Sequence, residues 1–361
     1  MSLDRIKAVI NGLTSPSLIF IVASIALGLY LVFARFFSKR WMGICLLAVL
    51  IGFFVLSSFD TNFRKIVTTA DNVPIVGTIF LVSFFTWFAV RKAVQNDIRM
   101  EKGLPTFEKT ESDDKVFVMP NLVYIEFLCT ILFTILLLVW SIFLKAPLEE
   151  PANPTDSPNP SKAPWYFLGL QELLVYFDPW IAGVLLPGLI IAGLIAIPYM
   201  DTNKKGSGYF TLKERKMAIT IFLFGFLILW VLLIIYGTFL RGPNWNFFGP
   251  YEFWDVHKVV PLVNVNLSDL IYVSWLGRGL PSHWFLREIW GFIFLVLYFL
   301  VPPPILAKTV FRKLYGEIGP VRYAIFIMLF LTFLGLPIKM LLRWTLNLKY
   351  IIALPEFFFN I

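Results

Sequence analysis

The sequence predicts an all-α integral membrane protein with about eight transmembrane helices, and three observations predict it. Of its 361 residues 58% are hydrophobic and 38 are Phe, more apolar surface than a soluble domain of this length can bury. Apolar runs close to the roughly 20 residues that a helix needs to cross a bilayer recur along the chain. These runs lack two-residue alternation, which excludes the other structure that satisfies its backbone in lipid, a closed barrel.

Read as spans, the runs cover 18–37, 41–59, 75–90, 122–144, 180–200, 217–240, 289–306 and 323–342. Helix-entry chemistry marks two starts: Ser15-Pro16 before the first and Asp178-Pro179 before the fifth, a capping side chain followed by Pro in the first turn. The opening MSLDRIKAVINGLTSPS lacks the short apolar core and small-residue cleavage site of a removable signal peptide, so it is expected to stay.

Charge orients the spans. Loops 35–40, 91–120, 201–216 and 307–322 hold 18 Lys and Arg against 9 Asp and Glu, whereas the other side is close to neutral, within a net charge of +8. The basic loops are therefore expected on the cytoplasmic side, with both termini and the Pro-rich loop before the fifth span on the periplasmic side of a bacterial inner membrane. Charges scattered over short juxtamembrane loops do not make the continuous basic face of a nucleic-acid binder.

Three outer segments stand apart. Segment 146–178 carries six prolines ahead of an aromatic run, too many for regular structure until that run begins, where a short surface helix is expected. Segment 241–288 opens with RGPNWNFFGPYEFWDVHK, read first as an interfacial aromatic belt and second as a contact surface for a peripheral electron carrier. The tail 343–361 ends in PEFFFNI and is read as lying on the interface. No internal repeat is visible, which weighs against a secondary transporter. Cys45 and Cys129 sit inside apolar runs and read as buried hydrophobes, and no Cys-x-x-Cys-His occurs, so no haem is covalently attached.

Two carboxylates invite a chemical role. In the stretch Pro164 to Leu173, helix from Pro164 onward would put Trp165, Leu168 and Glu172 on one face. A carboxylate among aromatics at a membrane surface suits proton uptake from a lipid-soluble donor; the alternative is a Glu that faces water from an interfacial helix. Glu126 lies about one turn inside the fourth span, a candidate for proton uptake from the cytoplasmic side, or else a side chain that snorkels or pairs with a neighbouring subunit's Arg.

From residue 120 to 242 the sequence resembles the C-terminal half of cytochrome b, most closely subunit IV of split bc-type complexes. PNLVYI opens the fourth span, EEPANP follows it, APWYFL stands where the family has its Pro-Glu-Trp-Tyr quinol-site motif, and AGVLLPGLIIAGLIAIPYMD fills the fifth span. A weaker likeness runs through REIWGFIFLVLYFLVPPPILAK. The resemblance divides the chain into an accessory three-helix region (1–115), a cytochrome b C-terminal-like region (116–306) with its quinol-site loop at 146–179, and an extra helix with an interfacial tail (307–361). It implies a subunit of a quinol oxidoreductase in which quinol passes one electron to a Rieske-type iron-sulfur protein and one to b-type haems, releasing protons to the positive side. Pro164, Trp165, Tyr166 and Leu168 would line the quinol pocket.

The departures from the family are informative. Aligned on Trp165 and Tyr166, Pro164 stands where the family has its motif Glu, so Glu172, the nearest carboxylate on the same expected helix, is the candidate catalytic proton acceptor. Loss of the motif Glu goes with menaquinol as the substrate. The only histidines, His257 and His283, lie outside the spans, and two bis-histidine haems need four ligands inside a bundle. The chain is therefore expected to ligate no metal; the haems belong to a cytochrome b N-terminal-type subunit, with a c-type cytochrome and lipids as further partners. Spans one to three and span eight have no counterpart in subunit IV and are expected to pack against other membrane subunits. Alternative readings are a transporter or channel, and a purely structural anchor whose quinol pocket has decayed.

Overall fold

In the computed structural model, residues 3–111, 116–144, 151, 153–155, 157–203 and 211–361 are described. The motif EEPANP therefore lies partly outside the described residues, as does part of loop 201–216. The chain is an all-α multi-pass membrane protein. Seven helices are long and apolar enough to span: Arg40–Ser57, Val73–Glu101, Val118–Phe143, Ile181–Met200, Lys216–Leu240, Trp284–Lys308 and Arg312–Leu346. Pro16–Val32, bent by 79° from Leu3–Leu13, brings the number to as many as eight. Both predicted entries form: Ser15 Oγ accepts the Leu18 N–H at 3.2 Å, and Asp178 Oδ1 accepts the Trp180 N–H at 3.4 Å where the fifth span begins. The only strands described are two residues each, Ala353–Leu354 paired antiparallel with Phe359–Asn360 in the tail.

The chain divides into two compact units. The first comprises Met1–Ser161, Gly206–Ile228 and Thr238–Lys258. Its N-terminal helix is amphipathic, and polar groups tie it down: Lys7 pairs with Asp60 at 2.5 Å, and Asn11 Oδ1 accepts the Tyr251 N–H at 3.0 Å. Asp60 is buried. Desolvation pushes its carboxyl up, but the Lys7 ammonium and the N–H groups of Phe63 and Asn62 outweigh that and hold it below its ordinary value. Spans two and three meet through a glycine: a Cβ at Gly43 would lie 2.2 Å from the Trp87 ring, whose Nε1–H donates to Phe37 O at 2.9 Å.

One sequence reading needs correction here. Cys45 and Cys129 are exposed, because the apolar outer face of a span is satisfied by lipid and need not be covered by protein. The aromatic stretch after span six folds on itself. Phe248 is buried under the Lys258 ammonium, 4.2 Å from its ring centroid, and Asn246 closes the loop on Lys258 O at 2.5 Å, leaving Phe253 exposed.

The second unit comprises Lys162–Lys205, Leu229–Gly237 and Val259–Ile361. Span eight packs along span five within it. Within the tail, Leu348, Ile352, Ala353 and Leu354 are buried. Its backbone pairs with Val265 through the Val265 N–H to Asn347 O and the Lys349 N–H to Val265 O, and only the tip, Phe357 and Phe358, is left apolar and exposed. Pairing matters for the buried part of this backbone, because a buried N–H or C=O left without a partner is costly.

Candidate functional site

The Pro-rich loop ends in Pro164, whose carbonyl accepts the Phe167 N–H at 2.8 Å and starts a 3-10 turn, Trp165–Phe167. The α-helix proper begins only at Leu168 and runs to Leu173. Gln171 reaches back, its Oε1 accepting the Ala163 N–H at 2.8 Å, and so closes the loop onto its own helix.

Leu168 and Glu172 are buried together, as helical spacing predicts, while Trp165, at the outer end of the 3-10 turn, stays exposed. Trp165, Tyr166 and Phe167 remain 39%, 48% and 51% exposed, whereas Glu172 is 0% exposed. Pro164 is exposed beside the aromatic turn. The Tyr166 hydroxyl has no partner among the described residues and is available to a ligand.

Two glycines let the short helix lie close on span six. A Cβ at Gly237 would come within 3.3 Å of Leu168, and one at Gly169 within 2.8 Å of the Trp230 ring. Beneath the helix, the Tyr176 hydroxyl donates to Glu172 Oε1 at 3.2 Å, and Tyr176 is itself fully buried, its ring edge-on to Trp344. The reading of Glu172 as a side chain facing water is therefore not what the fold adopts.

The C-terminal extension holds this assembly from below. Lys339 of span eight is buried, and its ammonium donates to Tyr176 O at 2.9 Å, Lys349 O at 2.6 Å and Leu348 O at 3.4 Å. Trp180 Nε1–H donates to Asn360 O at 3.1 Å, Asn360 Nδ2 donates to Asp178 at 3.0 Å, and Phe359 stacks on Trp180. A second buried carboxylate, Glu288, accepts from Arg287 Nε at 3.1 Å and from the Ala353 N–H at 3.1 Å, while the other face of Arg287 forks onto Glu356. That fork holds the Glu356 carboxyl below its ordinary value. Two residues before Pro164, burial pushes the Lys162 amine down to about 7.

Of the residues singled out from the sequence, the fold gathers Leu168 and Glu172 under the short helix and sets Pro164, Trp165 and Tyr166 on its outer side. Glu126 lies elsewhere, exposed on the fourth span, where no residue is buried at all. Tyr176, Lys339 and Glu288 are additions. Lys339 is legible as a lone cation in an apolar run, the mark of an intramembrane residue with an assigned partner; Tyr176 follows Glu172 by one helical turn.

The chain's two histidines are both exposed, and His283 is spent as a helix cap, its Nδ1 accepting the Phe285 N–H at 3.3 Å. Among the described residues no three His, Cys, Asp or Glu side chains converge. The residues present thus do not fit a bis-histidine haem.

Residues 151–240 match the family model described as cytochrome b(C-terminal)/b6/petD. This region is a cytochrome b C-terminal-type domain. It contains the aromatic turn, the short helix with Glu172, and spans five and six, so the buried carboxylate and its glycine seat belong to the matched stretch. The match spans 90 of the chain's 361 residues and makes this stretch similar to a family that forms part of quinol oxidoreductase complexes. No solved structure matches the chain.

Proposed function

We propose that this subunit builds one wall of the quinol-oxidation site of a bc-type complex, with Glu172 as the proton acceptor in place of the missing motif Glu. The observation that carries this is a fully buried carboxylate, hydrogen-bonded by Tyr176, directly beneath an exposed Trp-Tyr-Phe turn in the cytochrome b-type stretch. Quinol rests against Trp165 and Tyr166, flanked by Pro164, and the free Tyr166 hydroxyl hydrogen-bonds its oxygen. Leu168 anchors the helix that presents them. Burial keeps bulk water from Glu172, so protons reach and leave it through the groups lining the short helix, and Tyr176 is the first of these.

The electron acceptors lie on partners: b-type haems on a cytochrome b N-terminal-type subunit and the cluster of a Rieske-type iron-sulfur protein, with a c-type cytochrome beyond. With the basic loops on the cytoplasmic side of a bacterial inner membrane, the protons leave on the periplasmic side, where the loop and both termini face. The substitution of Pro164 for the motif Glu favours menaquinol. Exposure of Glu126 on a bare span favours a charge partner on a neighbouring subunit over a proton-uptake role. The test is Glu172→Gln in the assembled complex: quinol oxidation falls and loses its acid limb. Unchanged turnover with an unchanged pH profile removes Glu172 from the mechanism.

A further inference from the structure

At the basic end of the second unit, spans seven and eight are joined by a turn at 309–311, and a cavity of about 680 Å³ opens beside that turn. This lies within the roughly 300–1,000 Å³ that small-molecule sites occupy. Its floor is apolar, formed by Phe299, Ile327 and Met328, and its rim carries Lys308, Arg312 and Tyr315. The walls are fixed. Tyr323 Oη–H donates to Pro303 O at 2.8 Å, Tyr315 packs edge-on against Tyr323 at 5.1 Å, and Gly319, at φ +76°, bends the chain so that residues 312–318 lie ahead of the span proper.

The rim is chemically one-sided. Neither Lys308 nor Arg312 has an acidic partner within 4.0 Å among the described residues, and the nearby Glu317 is turned to Lys313 at 3.9 Å. Ile305, Val310 and Val321, close to the lining residues in sequence, are exposed as well, so apolar surface continues beyond the cavity. A ligand that matches both parts carries a negative head and an apolar tail.

We propose that this cavity binds an anionic phospholipid, its phosphate between Lys308 and Arg312 and the upper part of its acyl chains on Phe299, Ile327 and Met328. Basic pockets between membrane helices are recognised ways of holding such head groups. A neutral quinone leaves both cations without a counter-charge, and a free phosphate leaves the apolar floor empty.

The test compares the complex carrying wild-type chain with Lys308→Gln/Arg312→Gln and with Ala324→Trp, a substitution at a further lining residue that puts bulk into the cavity and keeps both charges. Each is reconstituted in nanodiscs of phosphatidylglycerol and phosphatidylcholine, re-extracted, and its retained lipid measured by native mass spectrometry. Wild type keeps phosphatidylglycerol in preference to phosphatidylcholine. The double variant loses that preference by about fivefold for each cation removed, and Ala324→Trp loses the lipid with its surface charge intact. The replaced cations are exposed, so the double variant folds, and equal haem content in all three preparations checks assembly. Equal retention by all three, displacement of the lipid by millimolar inorganic phosphate, or a partner subunit's helix cross-linked into the cavity overturns the proposal.

Discussion

The fourth span and the short helix after it make an instructive contrast, because each presents one carboxylate and treats it in opposite ways. Val118–Phe143 has no buried residue, and its Glu126 stands on an exposed surface. Leu168–Leu173 is a quarter of that length, yet it buries Leu168, Gly169, Glu172 and Leu173 and seats its carboxylate on a tyrosine hydroxyl. A lone helix in lipid needs no covering, since its backbone is satisfied internally and its side chains match the solvent. A loop helix at the membrane edge has no such freedom and must be packed. The chain therefore completes only the part of the site that cannot exist without its own packing, and it leaves the fourth span for lipid and partner subunits to cover.

The contrast can be broken at several points. Glu172→Gln keeps the shape and removes the ionisable group, so quinol turnover in the assembled complex falls by about 10²-fold or more with assembly intact, as measured by acceptor reduction across a pH series. Lys339→Met removes one donor from three backbone carbonyls. It lowers stability by about 1–3 kcal/mol, read as a lower melting temperature of the detergent-extracted complex, and raises the quinol KM more than it lowers kcat. Gly237→Val drives a side chain into Leu168 and costs about 1–3 kcal/mol of local packing, measured as faster proteolysis of the 162–180 loop.

Smaller effects are expected in the first unit. The folded Asp60 carboxyl lies below its unfolded value, so its contribution is present above the unfolded value and is lost as pH falls through the folded one. Acid therefore loosens residues 3–13 in amide hydrogen exchange, and Asp60→Asn makes that exchange insensitive to pH in the same window. Glu126→Gln is the smallest: turnover per assembled complex stays within about twofold, while the yield of complex drops. A lowered turnover with a shifted pH profile would instead assign Glu126 to proton uptake.

Much of this architecture can be read from the residues. Run length and the absence of alternation give the helical membrane class, and Ser15 and Asp178 mark two helix starts because capping is a local interaction. APWYFL followed by Glu172 marks the candidate site. What the sequence conceals is rotation and long-range pairing. Nothing local distinguishes a 3-10 turn from an α-turn at Trp165, so the exposure of the aromatics and the burial of Glu172 emerge only from the fold. Similarly, PEFFFNI reads as an interfacial tail, while the bonds that hold its approach, involving Lys339, Asn360 and Glu288, join residues 65 to 182 positions apart in sequence or depend on backbone groups that have no sequence signature.

The central claim is that redox lipid meets this chain at the aromatic turn and that its electrons leave through groups on other subunits. Photo-crosslinking an azido-quinone to the intact, haem-containing complex, with peptide mass spectrometry as the readout, addresses it most directly. The account predicts labelling within 164–172 that unlabelled quinol suppresses. Labelling confined to other subunits, or a complex that carries no haem protein beside this chain, would contradict it.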